Sequence, residues 1–195
     1  MALISCKTIL TSLCLFHITL GYFFLTSPSS IADQAMVYLL GESMGLPHVR
    51  SFETQSPANA FLGIILAIFG VSDLVTLSRD EFDVIEHWGI QAPLRLLITF
   101  FLTLYTFFFS ASSPLYASKE RMMAHPSAHH ANPNYVPAGW GGDALKNRVF
   151  FTFMFVETVS WLWVWVTLQE ERRDVLLRRQ ASAAARARRR SSAHL

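Results

Sequence analysis

Residues 57–78, PANAFLGIILAIFGVSDLVTLS, constrain this chain more than any other stretch. The run has the length of a bilayer-crossing helix, roughly 20 residues, and is apolar almost throughout. Its start is marked by Ser56, a capping residue, and Pro57, which suits the first helical turn. Ala60, Gly63, Ala67 and Gly70 follow at steps of three and four and share one face. Small residues on one face let a neighbouring helix approach closely, which is how membrane helices pack. Asp73 lies three positions beyond Gly70, near the same face. A carboxylate inside a membrane is costly, so it is expected to face protein rather than lipid. This helix is therefore expected to be the inner one of a bundle.

The rest of the chain repeats the theme. Only 15% of its 195 residues are charged, against about a quarter in a soluble domain. The charge is missing in blocks, over residues 8–25, 57–78, 93–110 and 148–168. The fold class is thus an all-α membrane bundle of four transmembrane helices. Residues 1–169 form the membrane domain, and 170–195 a basic tail, partly helical and then disordered. The first run is long for a signal-peptide core and no clean cleavage site follows it, so it reads as an uncleaved span. In the first loop, Asp33 is expected to cap a short interfacial helix with Ala35–Leu40 as its body, loosened by Gly41 and Gly45 and ended by Pro47. Residues 79–91 read as an acidic connection, and Pro93 as the start of the third span. That span carries a polar stripe, Arg95, Thr99, Thr103, Thr106 and Ser110, predicted to turn inward. In the fourth span Trp161, Trp163 and Trp165 lie toward the far end, where indoles favour the membrane interface.

Four spans place both termini on one side. Eight of the sixteen Lys and Arg residues lie after Gln169, so the positive-inside rule puts that side in the cytosol. With Lys7, Arg79 and Arg95 the cytosolic side carries eleven, and the opposite side five. The arginine tail suits the anionic cytosolic leaflet better than nucleic acid, so direct nucleic acid binding is not expected. Phosphorylation of Ser191 or Ser192 would weaken that attraction. An arginine-based sorting signal for the endoplasmic reticulum is a further reading of the same run.

The intramembrane polar residues are Asp73, Arg95, His17 and Glu157. Asp73 sits near the cytosolic end of its helix and Arg95 near the start of the next, so the two are expected to pair. His17 and Glu157 both lie near mid-membrane and can also meet. The pairs either lock helices together or line a proton or cation path. His125, His129 and His130 give H-x3-H-H, which matches one histidine box of membrane di-iron enzymes. Such enzymes need several boxes, and the chain has seven His in all. Cys6 and Cys14 stand about 12 Å apart along one helix, too far for a bridge. No phosphate loop, Ser-His-Asp set or Cys-x-x-Cys occurs. No catalytic residue, metal site or cofactor is therefore assigned.

The stretches LFHITLGYFFLTSPSSIADQAMVYLLGESMGLP (15–47), GVSDLVTLS (70–78), QAPLRLLITF (91–100) and FFFSASSPLY (107–116) carry a family likeness. The chain resembles the fungal "increased loss of mitochondrial DNA" family. The resemblance implies a multi-span endoplasmic reticulum membrane protein with a role in keeping the mitochondrial genome, and it brings no catalytic residues. The leading expectation is a non-enzymatic protein acting indirectly through membrane partners or lipids, or as a homo-oligomer. The alternatives are a small oligomeric channel or transporter using the intramembrane charges, and a lipid-modifying enzyme using the histidine loop.

Overall fold

A computed structural model describes residues 4–110 and 141–192. Among these, every regular element is helical, and four helices are long and apolar enough to cross a membrane. The helices are α1 (Cys6–Thr26), α2 (Ser29–Ala32), α3 (Ala35–Ser43), α4 (Pro57–Thr76), α5 (Glu81–Phe108) and α6 (Arg148–Ser192). Short 3-10 turns at Arg50–Phe52 and Gly141–Leu145 precede α4 and α6. The sequence marks several starts directly. Ser5 and Ser56 accept the Thr8 and Asn59 amides and so cap α1 and α4, and Pro57 occupies the first turn of α4.

The four spanning helices form two antiparallel pairs. α1 packs along α4, α5 packs along α6, and the pairs join where α1 meets α6. α4 is consequently not the inner helix. It exposes Phe61, Ile64, Ile68, Phe69, Val71 and Val75, whereas α1 buries more of its apolar window than any other span. Its small residues put it at the side of α1. A methyl group on Gly21 would stand 2.6 Å from the Gly63 carbonyl oxygen, and one on Gly63 would stand 2.8 Å from the Gly21 carbonyl oxygen. One on Gly70 would stand 2.8 Å from the Cys14 carbonyl oxygen. The two backbones are therefore in contact along this seam, as small-residue packing requires. Ala67 lies in it beside Gly21, and Ala60 is exposed.

Three more expectations change. The acidic stretch is helical, and Pro93 lies inside α5 rather than at its start. Pro93 removes one backbone donor and costs about 3 kcal/mol in a helix interior. Val84, Ile85, Trp88 and Ala92 are all buried at helical spacing on the far side of that break, and their burial offsets the loss. Glu81 and Asp83 in the first turn also suit the positive helix end. Asp33 does not cap α3: it follows the last residue of α2, and Gln34 precedes α3 without a side-chain cap bond. Finally, α6 continues from the fourth span into the tail, whose first part was expected to be helical, and stays helical to Ser192, through the stretch expected to be disordered.

Two apolar cores lie at opposite ends of the bundle. One gathers Leu10, Leu13, Trp88, Trp161, Val164 and Leu168, the other Phe24, Ile31, Val37 and Val149. The second holds the loop helices against α6, with one long side chain as the tie. Arg148 donates from Nε to the Leu46 carbonyl at 2.8 Å and from Nη2 to Glu42 Oε2 at 2.6 Å. Its stem crosses α3 at Gly41, where any side chain would collide with it. Gly41 thus does not loosen the helix; it makes room for Arg148. Glu42 is well exposed, so the carbonyl bond carries most of the tie. Arg148→Ala is expected to cost about 1–3 kcal/mol by leaving that carbonyl unpaired, and to open residues 27–56 to limited proteolysis in detergent. Unchanged cleavage would show that the apolar core alone holds α3.

Candidate functional site

Between the two cores lies a polar layer built from all four spans. α4 contributes Asp73, one turn from its end and 6% exposed. α5 contributes Arg95, two turns beyond Trp88. Arg95 Nη1 donates to Asp73 Oδ2 at 2.5 Å, and Nη2 donates to Oδ1 at 3.0 Å. This is the two-pronged arrangement that makes arginine–carboxylate pairs strong and directional. The backbones of α4 and α5 barely touch, so the long arginine side chain is what bridges them.

The guanidinium is also held from the side. Its carbon lies 5.1 Å from the Trp88 ring centre and 5.0 Å from that of Trp161. The two indoles stack on each other at 5.6 Å, and both are almost fully buried. A cation over an indole face, shielded from water, is worth up to about 2 kcal/mol. Trp161 then carries the contact onward. Its Nε1 donates to Glu157 Oε2 at 2.7 Å, and Glu157 Oε1 lies 2.9 Å from His17 Nε2. The second contact is close enough for an ion pair but lacks the alignment of a hydrogen bond. Glu157 is 4% exposed and His17 7%.

The structure therefore brings together all four residues singled out from the sequence, and joins them into one chain: Asp73, Arg95, Trp161, Glu157, His17. Trp161 is the member that the sequence reading grouped with Trp163 and Trp165 as interfacial indoles. It is buried at the centre, whereas Trp163 and Trp165 are exposed. Its spacing of four from Glu157 was the available signal, because residues i and i+4 lie one above the other on a helix. Trp88 was missed with the stretch that carries it.

The threonine stripe of α5 faces α6. Thr99 and Thr103 turn their hydroxyls onto carbonyls one turn back, at 2.9 and 2.8 Å, and Thr103 Oγ1 lies 3.2 Å from Thr158 Oγ1. Thr106 and Ser110 are buried as well, and Thr106 bonds the Leu102 and Thr103 carbonyls at 3.1 and 2.9 Å. Most of these hydroxyls are thus satisfied within the helix, and the stripe makes a close dry contact. The Glu157–His17 contact can hold or exchange one proton within the bundle. Among the described residues no three His, Cys, Asp or Glu side chains come close enough to hold a metal ion. His125, His129 and His130 lie outside the described residues.

No curated relative and no solved structure matches the chain. The sequence pattern of the family described as "Increased loss of mitochondrial DNA protein 1" matches residues 4–178. That match takes in all four spans, the loop helices and every member of the polar layer, as the family likeness of the sequence segments implied. The chain belongs to this family of increased loss of mitochondrial DNA proteins.

Proposed function

We propose that this membrane protein is a non-enzymatic, multi-pass resident of the endoplasmic reticulum, with both termini cytosolic, that supports mitochondrial DNA maintenance indirectly. It acts by presenting a fixed helical surface to membrane partners, to lipids or to further copies of itself. The observation that carries this reading is the polar layer. Its charges face one another, with Asp73 engaged by Arg95 and Glu157 by Trp161 and His17, as a locked bundle requires. The apolar outer faces of the spans, with Phe61 and Ile68 exposed on α4 and Leu97, Ile98 and Phe101 on α5, are what a partner or lipid can meet. The family name speaks of a loss phenotype, and nothing in the tail or the spans calls for contact with DNA. In cells that lose mitochondrial DNA for want of this protein, a copy confined to the endoplasmic reticulum by an added retention signal is expected to restore the genome. Rescue only by a copy directed to mitochondria would overturn the reading.

A second reading, a proton or cation path in an oligomer, draws on one feature. His17 sits at mid-bundle against a carboxylate, with its Nδ1 buried and without a partner among the described residues. Purified protein in liposomes is expected to pass no more ions than empty vesicles, with Glu157→Gln no different. A flux that Glu157→Gln abolishes would establish the second reading instead.

A further inference from the structure

A cavity of about 600 Å³ opens in the half of the bundle opposite the N-terminus, between α1, the loop helices, the first turns of α4 and the start of α6. That volume lies within the range of small-molecule sites, about 300–1,000 Å³. Its walls are apolar and rich in flat rings, among them Phe16, Phe24, Phe52 and Phe153. Among the described residues no Lys, Arg, Asp or Glu lines it. Arg148, which directly precedes the lining residue Val149, is already held by the Leu46 carbonyl and Glu42.

One group in this wall is out of balance. Thr99, Thr103, Thr106 and Thr158 all donate their hydroxyls to carbonyls one turn back. Thr152 does not: it lines the cavity, is 5% exposed, and its Oγ1 is buried with no partner among the described residues. The other polar wall residues are satisfied. Thr19 bonds the Leu15 carbonyl, Ser30 bonds Ser27, and Gln34 bonds the Ser30 carbonyl. A buried hydroxyl left unpaired carries a desolvation penalty, which a ligand with one matching polar group removes.

We infer that this cavity binds a sterol: a rigid, flat, apolar body against the phenylalanine faces, with its single hydroxyl exchanging a hydrogen bond with Thr152 once that side chain turns its now buried Oγ1 into the cavity. A phospholipid fits the lining less well, because among the described residues no cation lines these walls to meet its phosphate. The proposal sharpens the lipid arm of the function proposed above and depends on it only for the membrane setting.

The test uses the full-length protein in nanodiscs with a photoreactive sterol probe. Labelling is expected on α1 and α6 peptides facing the cavity, and unlabelled sterol is expected to compete while phosphatidylcholine and diacylglycerol do not. Thr152→Val, close to isosteric, is expected to weaken binding roughly two- to tenfold while the thermal midpoint of the sterol-free protein stays the same or rises, since the unpaired hydroxyl is gone. Leu66→Trp is expected to abolish labelling by filling the cavity. Equal competition by phosphatidylcholine would overturn the proposal, as would labelling that ignores both substitutions. Labelling that appears only once residues 111–140 are deleted, or cross-linked dimers through this face, would assign the cavity to the chain itself and also overturn it. Sterol binding is read on purified protein and genome rescue in cells, so failure of one leaves the other standing.

Discussion

Arg95→Leu is expected to destabilise the protein by about 3–5 kcal/mol, because it strands the Asp73 carboxylate inside the bundle. The carboxylate side chain is 9% exposed, and both its oxygens take bonds from the guanidinium. Removal of the cation also empties the space against Trp88 and Trp161 that the guanidinium fills. The Asp73→Leu, Arg95→Leu double variant is expected to recover most of the loss, since apolar residues can replace a buried pair at little net cost. Arg95→Lys should fall between, because an ammonium keeps the charge but neither forks onto two oxygens nor lies flat on the indoles. Unfolding titrations in mixed micelles measure all three. A double variant as unstable as Arg95→Leu would show that the pair is not the reason the charges are there.

Gly63→Val is expected to separate α4 from α1. The added side chain would begin 2.8 Å from the Gly21 carbonyl oxygen and meet Phe24 and Leu25 beyond it. Backbone cannot yield as a side chain can, so the helices must move apart along a seam that also includes Gly70. Overpacking of this kind costs about 1–3 kcal/mol where neighbours can adjust, and more where they cannot. The separation would carry Asp73 away from Arg95 as well, so a loss of about 4 kcal/mol or more is expected when the two effects combine. Gly89→Ala is the contrasting control. Nothing lies within 4 Å of where its side chain would stand, so it should be neutral or stabilise α5 by up to about 1 kcal/mol. Equal effects of the two substitutions would mean that helix propensity, not the seam, governs this position.

The all-helical bundle and the two charge pairs were legible because a membrane leaves few choices. Long apolar runs must be helices, and Asp73, Arg95, His17 and Glu157 had few other partners to meet. The rank of the helices was not legible. Gly63 and Gly70 mark a close contact, but one face of small residues does not say whether the other faces meet protein or lipid. Phe61 and Phe69 are as apolar as any core residue, and they lie exposed on the outside of the helix pair. Pro93 misled because a proline both starts helices and interrupts them, and the residues that decide between these, Val84, Ile85, Trp88 and Ala92, looked diluted among acids. Trp161 misled in the opposite sense. An indole has an apolar body and one N–H, so it suits the interface and equally a buried carboxylate, and only Glu157 one turn away tells the two apart.

The two ion contacts have different histories during synthesis. Asp73 and Arg95 are 22 residues apart, so they leave the ribosome within a few seconds of each other at about 5–20 residues per second. They can enter the bilayer together, already neutralising one another. His17 and Glu157 come from opposite ends of the chain, so the first must wait in the nascent bundle on the order of ten seconds for the second. An imidazole can wait uncharged where a guanidinium cannot, which suits a histidine to the earlier of the two positions.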